Sequence, residues 1–222
     1  MHPVAYIHND FKEKFGIPRQ SGLVSNVSCI TFVHPYDDPA ALRGIEEFTH
    51  LWLLWDFSES HRETFSPTVR PPRLGGNTRV GVFATRSPFR PNSIGLSCVK
   101  LLGTETKGKD GPKLYVQGAD LMDGTPIYDI KPYLPYADCI PEEKTGILGE
   151  TPDKTEEVLF ENIGPAEVQA GELEVIQEIL SRNPPPAYQG DQERIYGMKY
   201  GRFEVKFRRV KEKIYVQSIE SL

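Results

Sequence analysis

The stretch T-R-S-P-F-R-P-N-S, Thr85 to Ser93, limits what this chain can become more than any other. Pro88 and Pro91 each fix φ and remove a backbone donor, so the connection cannot be helical and has few conformations to choose from. Strand-like runs flank it. Arg79 to Ala84 is apolar at Val80, Val82 and Phe83, and Ile94 to Leu102 is a second apolar run. Arg79 to Ser97 therefore reads strand, tight turn, strand, with Arg86 and Arg90 held out on the turn. Rigidity lowers the ordering cost of binding, and guanidinium offers a planar fork to phosphate or carboxylate, so the turn suits an anionic ligand. A plain hairpin with solvated arginines is the other reading of the same residues.

The rest of the chain repeats this alternation of short apolar runs and breakers. Nineteen glycines and 19 prolines in 222 residues favour a β-rich, loop-rich fold. Val4 to His8, Ser28 to Val33, Lys113 to Gly118 and Ile127 to Lys131 read as strands. Phe48 to Phe57 is almost wholly apolar and reads as a strand buried on both faces or as a buried helix, with His50 a satisfied core residue. Asp38-Pro39 through Gly44 carries an N-cap, a first-turn proline and a stop, hence a short helix. Tyr133 to Pro141 reads as extended. No βαβ alternation and no G-x-G-x-x-G after a strand occurs, which argues against a Rossmann domain. About seven strands suggest one barrel or sandwich over residues 1–141.

Near Pro141 the composition turns acidic and polar, as at a domain boundary. Over residues 142–222, Pro165 to Arg182 reads as a helix with Leu173, Ile176, Ile179 and Leu180 on one face. Pro184 to Tyr188 reads as polyproline-like chain. Phe203, Val205 and Phe207 alternate with charges and lead to Ile214, Val216 and Ile219, a hairpin. The expected fold is mainly β: one barrel with a small α+β C-terminal domain.

Charge is segregated. The net charge is −5, yet Thr64 to Thr104 holds no acidic residue and six basic ones, and seven more lie between Lys199 and Lys213. A basic face on an acidic protein can steer a polyanion. Three scattered cysteines fit neither a disulfide framework nor a zinc site, and no H-x-x-x-H or C-x-x-C pair supports a metal. No apolar run approaches the ~20 residues that span a bilayer, and Met1 to Tyr6 lacks the pattern of a signal peptide. A reducing cytosol is the expected compartment. Cys98 reads as a small buried hydrophobe. Asp123 reads as a turn aspartate, whereas Asp120 and Asp129 sit among apolar neighbours at strand ends.

Four segments resemble the TsaA-like, TrmO-type methyltransferases: P-R-Q-S-G at Pro18 to Gly22, R-P-P-R-L-G-G-N at Arg70 to Asn77, G-V-F-A-T-R-S-P-F-R-P-N-S-I-G-L-S at Gly81 to Ser97, and D-G-T-P-I-Y-D-I-K-P-Y at Asp123 to Tyr133. Y-G-M near Tyr196 adds to it. The resemblance implies a homodimeric enzyme whose β-barrel binds S-adenosyl-L-methionine (SAM). It implies methylation of the exocyclic amine of threonylcarbamoyl-adenosine, beside the anticodon of threonine tRNA. Carried over by motif, SAM contacts fall on Gln20, Ser21, Gly22, Ser58, Glu59, Arg86, Cys98 and Ala119, Asp120, Leu121 and Met122. Arg70, Arg73, Arg90 and the C-terminal hairpin are the tRNA candidates, and Asp129 and Tyr133 the possible catalytic assistants. The chain departs from the family pattern at Ser21, Ser58 and Pro185. A SAM- or nucleotide-binding barrel without catalysis, acting as sensor or adaptor, is the alternative function.

Overall fold

The computed structural model describes residues 1–71, 78–140, 146, 155–161, 168–182 and 194–222. Three strands open the chain: β1 (Ala5–His8), β2 (Val27–Phe32) and β3 (His50–Asp56). A two-stranded ribbon of β4 (Thr68–Val69) and β5 (Val80–Gly81) follows. The long β6 (Ile94–Glu105), then β7 (Lys113–Gln117) and β8 (Pro126–Pro132), complete a closed antiparallel barrel in the order β1-β2-β7-β6-β3-β8. Closure gives every strand two partners and leaves one residue in two pointing inward. Ile7, Ile30, Leu51, Leu53, Leu114, Val116 and Ile127 are wholly buried there.

The sequence expectation fails in three places. Phe48 to Phe57 is not buried on both faces: Leu51, Leu53 and Trp55 point in, Trp52 and Leu54 are only half-buried, and His50 is exposed at the strand's start. An antiparallel barrel leaves its outer face uncovered, so an apolar run there need not be core. Arg79 to Ala84 does not pair with Ile94 to Leu102. β5 ends after two residues, Val82–Ala84 turns as a 3-10 helix, and β5 pairs with β4 instead. β6 meanwhile takes seven consecutive partners on β3. Tyr133 to Pro141 is not simply extended: Pro135–Asp138 forms one helical turn, α1, with Asp138 accepting from the Leu134 amide at 2.7 Å. The short helix at Asp38 is a 3-10 turn, Pro39–Leu42, capped by the Asp38 side chain on the Ala40 amide.

The second layer is a four-stranded sheet in the order β10-β11-β12-β9, built from β9 (Glu157–Phe160), β10 (Ile195–Tyr200), β11 (Phe203–Val210) and β12 (Lys213–Ser221). Helix α2 (Ala170–Arg182) lies against it through Val175, Ile176, Ile179 and Leu180. The predicted hairpin is β11–β12; β9 and β10 were not anticipated. The predicted polyproline run and the start of the predicted helix lie outside the described residues. No helix among the described residues is long and apolar enough to cross a membrane.

Two buried clusters result among the described residues, and their membership does not follow chain order. Phe11 and Val24, from the loop between β1 and β2, belong to the core of the second sheet. Phe11 meets Tyr200 edge-on at 5.7 Å, Phe15 stacks on Phe207 at 6.3 Å, and Glu178 accepts from the amide and hydroxyl of Ser25 at 2.6 and 2.7 Å. The loop thus leaves the barrel, docks on the second sheet and returns.

Candidate functional site

Where that loop returns it walls a cavity of about 490 Å³ at one end of the barrel. Its close fit depends on glycine. Gly22 donates to the Gly118 carbonyl at 2.8 Å, and a Cβ on Gly118 would stand 3.1 Å from the Gly22 Cα. Gly118 also has φ +86, a conformation open to glycine. The loop is further tied by the Cys98 amide, which donates to Ser21 Oγ at 3.1 Å, and by Arg86, which donates to Gln20 Oε1.

The floor is the segment after β7. Asn26 and Asn9 donate side-chain amides to the carbonyls of Ala119 and Leu121, at 3.1 and 2.9 Å, and so fix its course. Side chains then alternate: Ala119 and Leu121 are wholly buried in the barrel core, while Asp120 and Met122 line the cavity. Asp120 is the central group. Trp55 Nε1 donates to Ser97 Oγ at 2.9 Å, and Ser97 Oγ donates to Asp120 Oδ1 at 2.5 Å. Burial pushes the Asp120 carboxyl up to about 6, against the opposing pull of Ser97, its own amide, Arg86 and the Ser21 amide. Trp55 lies flat over Gly95 of β6, its cross-strand partner, which is the close approach that a glycine inside a strand signals.

The rim comes from the ends of β3 and of the proline turn. Ser58 and Glu59, in the 3-10 turn Ser58–Ser60, line the cavity with Arg86 and Arg90. Arg90 also braces its own loop, donating to the carbonyls of Thr85 (2.7 Å) and Val82 (3.3 Å). Asp56, buried at the end of β3, accepts from His61 Nε2 at 2.8 Å. An apolar wall, a carboxylate and a guanidinium in one cavity suit a small molecule carrying both charges.

Of the residues singled out in the sequence, Gln20, Ser58, Glu59, Arg86, Asp120, Met122 and Arg90 come together here. Ser21 and Gly22 build the loop behind them. Ala119 and Leu121 are core, and Cys98 reaches the site through its backbone amide; burial pushes its thiol up, away from thiolate. Asp129 and Tyr133 are not among the lining residues. Asp129 pairs opposite Leu54 on the outer face of the barrel and holds Lys131 at 2.6 Å, while Tyr133 packs on Trp52 at 5.8 Å. Arg70 is exposed, and Arg73 lies outside the described residues. The C-terminal hairpin departs from the basic-face expectation: Arg202, Lys206, Arg208, Arg209 and Lys213 each pair with a glutamate, of the hairpin itself or of the acidic stretch before it. Trp55, Asp56, Gly95 and Ser97 were missed; only the strand glycine carried a signal. Among the described residues no group of three or more His, Cys, Asp or Glu is arranged to hold a metal ion.

Comparison with known proteins agrees with this architecture. The chain is 40% identical over 218 residues to the tRNA (adenine(37)-N6)-methyltransferase of Escherichia coli, covering 92% of this chain and 91% of that protein. It is 40% identical over 209 residues, 90% of this chain and 86% of the relative, to a Pseudomonas aeruginosa protein provisionally named an S-adenosylmethionine-dependent methyltransferase. The crystal structure of TrmO from P. aeruginosa superposes with a TM-score of 0.79 at 32% identity, covering 100% of this chain and 98% of that one. The family profile of the tRNA-methyltransferase O N-terminal domain matches residues 6–139 and that of the TrmO C-terminal domain residues 158–222. Barrel, proline turn and C-terminal sheet together thus place this chain in the tRNA-methyltransferase O family.

Proposed function

We propose that this chain transfers a methyl group from SAM to the exocyclic amine of the adenosine at position 37 of tRNA. In full, the substrate is threonylcarbamoyl-adenosine beside the anticodon of threonine tRNA, the enzyme is a cytoplasmic homodimer, and the barrel domain spans residues 1–141 and the C-terminal domain 142–222. The observation that carries the reading is the opposed pair of Asp120 and Arg86 in one apolar-walled cavity, on motifs shared with the family. SAM combines a carboxylate with an ammonium and a sulfonium, and that donor set fits. Arg86 takes the carboxylate, Asp120 faces positive charge, Gln20, Ser58 and Glu59 offer polar contacts at the rim, and Trp55 and Met122 supply apolar area. SAM, when bound, supplies an electrophilic methyl group. The protein's own task is then positioning and exclusion of water, because an in-line displacement gains most from a fixed approach. Arg70, after β4, and Arg90, on the proline turn, are the tRNA contacts of this reading, since Lys206, Arg208, Arg209 and Lys213 of the hairpin are each engaged by a glutamate.

Calorimetry with SAM, followed by methyl incorporation into threonine tRNA bearing threonylcarbamoyl-adenosine, tests it. Binding together with transfer that Arg86→Ala abolishes is the expected result. Binding without transfer into any tRNA would overturn the substrate, and no binding of SAM would overturn the site.

A further inference from the structure

A second cavity, of about 200 Å³, adjoins the first, with Ser60 and Arg90 lining both. Arg62, Glu63, Phe65 and Phe89 complete much of its wall. The Arg62 guanidinium lies over the Phe89 ring, 3.4 Å from its centroid. Phe65 is 57% exposed, and the neighbouring Phe83 is 74% exposed with Arg90 5.8 Å from its ring centroid. A phenylalanine left in water forgoes the free energy of burial, so folding stability does not account for the exposure of Phe65 and Phe83. Their backbone is nonetheless held firmly. Ser66 Oγ donates to the Thr68 carbonyl at 2.8 Å, the Val82 amide donates to the Pro67 carbonyl at 3.0 Å, and β4 and β5 pair between them. Rings and a guanidinium on a fixed base are what unstacked nucleobases bind, because every base offers a π face to an aromatic or arginine plane. Glu63 offsets part of the charge of Arg62 and Arg90 in the wall, and the exposed face of Phe65 offers a base a contact that it does not offer a phosphate.

We propose that this second cavity is a subsite for the nucleobase next to the methylated adenosine in the anticodon loop. The base stacks against Phe65 and the Arg62–Phe89 pair, with Arg90 and Ser60 forming the partition between two consecutive nucleotides. The inference rests on the tRNA reading given above. Stacking tolerates sequence, so the subsite contributes affinity and register rather than a base code.

The test is a double-mutant cycle between protein and RNA, read by fluorescence anisotropy with the full chain. The probe is a threonine tRNA anticodon stem-loop carrying threonylcarbamoyl-adenosine, intact or with an abasic residue on its 5′ or its 3′ side. Phe65→Ala weakens binding of the intact stem-loop by about 5- to 150-fold, the range that loss of one base–aromatic stack represents. On one of the two abasic stem-loops the variant and the wild type bind alike, Phe65→Trp restores intact binding, and the calorimetric SAM affinity of all variants is unchanged. Arg62→Ala repeats the pattern if the stacked pair is the platform. Equal losses on intact and both abasic RNAs, or no loss at all, would overturn the subsite while leaving the tRNA reading standing. Failure of the wild type to bind any stem-loop would overturn both.

Discussion

Asp120→Asn should make this protein more stable at neutral pH while disabling it. Burial pushes the Asp120 carboxyl up to about 6 in the folded protein, against an ordinary value of 3.8 in the open chain. The folded state therefore holds the proton more tightly than the unfolded chain between those two values. Stability from this group falls as pH rises from about 4 to about 6, the reverse of an ion-paired aspartate, and the full penalty is present above 6. The displacement of about two pH units corresponds to about 3 kcal/mol. Asparagine carries no charge and escapes that penalty, but its NH2 cannot accept from the Ser21 amide, at a loss of about 1 kcal/mol. The variant should thus be about 2 kcal/mol more stable than wild type at pH 8, about 0.5 kcal/mol less stable at pH 4, and equal between. At pH 8 the melting midpoint should rise by about 4–8 °C for a chain of this length. Urea unfolding of both proteins from pH 4 to 8 measures the difference directly. Ser97, its own amide, Arg86 and the Ser21 amide are the groups that act on the carboxylate, and titrations common to both proteins cancel in the difference between them. A stability difference that does not change with pH would refute the reasoning. A destabilising carboxylate is retained where function needs it, so SAM affinity should fall in the same variant.

Gly95→Ala places a Cβ 2.2–2.6 Å from the Trp55 ring and forces the indole off Ser97; about 2–4 kcal/mol of stability should be lost, with a red-shifted Trp55 emission in a Trp52→Phe background and weakened SAM binding. Glu156→Gln leaves the Arg209 guanidinium without its bidentate partner in a half-buried setting and should cost about 2–4 kcal/mol in urea unfolding, whereas Glu156→Leu with Arg209→Met should recover most of it. Phe11→Ala should cost about 3–5 kcal/mol and lower SAM affinity as well, although Phe11 does not line the cavity; an unchanged affinity measured on the folded variant would show that the loop holds its shape without the second core.

The barrel strands were legible because period-two apolar runs bounded by Gly, Pro and Asp are local signals, and Ser28 to Val33 or Lys113 to Gly118 carried them in full. The helix over Ala170–Arg182 was legible for the same reason at a different period. β9 gave no such signal. Glu157–Phe160 is four residues in an acidic stretch and exists as a strand only by parallel pairing with Lys213 to Val216 at the far end of the chain. The site divides likewise. Asp120 drew notice as a carboxylate among apolar neighbours, a property of the sequence alone. Trp55, Gly95 and Ser97 meet through the register of β3 on β6, which no local pattern specifies. Register also separates Asp129 from the cavity: it pairs with Leu54, whose side of the strand faces outward, while Trp55, one residue on, faces in.

The loop between β1 and β2 gives the two cores a common element. Its first half, with Phe11 and Phe15, is packed into the second sheet, and its second half, Gln20 to Gly22, closes over the cavity of the first. Gly16 marks the crossing: it has φ +95, and a Cβ there would meet Met198 Sδ of β10 at 2.8 Å. A loop of this length joining two barrel strands would ordinarily be the most mobile part of the fold. Here the second sheet restrains it through the Asp10 carbonyl on the Gly201 amide, Glu13 on the Lys199 amide and Glu178 on Ser25. Ordering the loop in advance removes part of the entropy that ligand binding would otherwise have to supply. The consequence is a coupling with a definite sign: whatever stabilises the second sheet tightens the cavity, and by reciprocity a ligand in the cavity stabilises the second sheet. Hydrogen exchange of β10 and β11 amides should therefore slow when SAM is added, and should stop responding to SAM in Phe11→Ala.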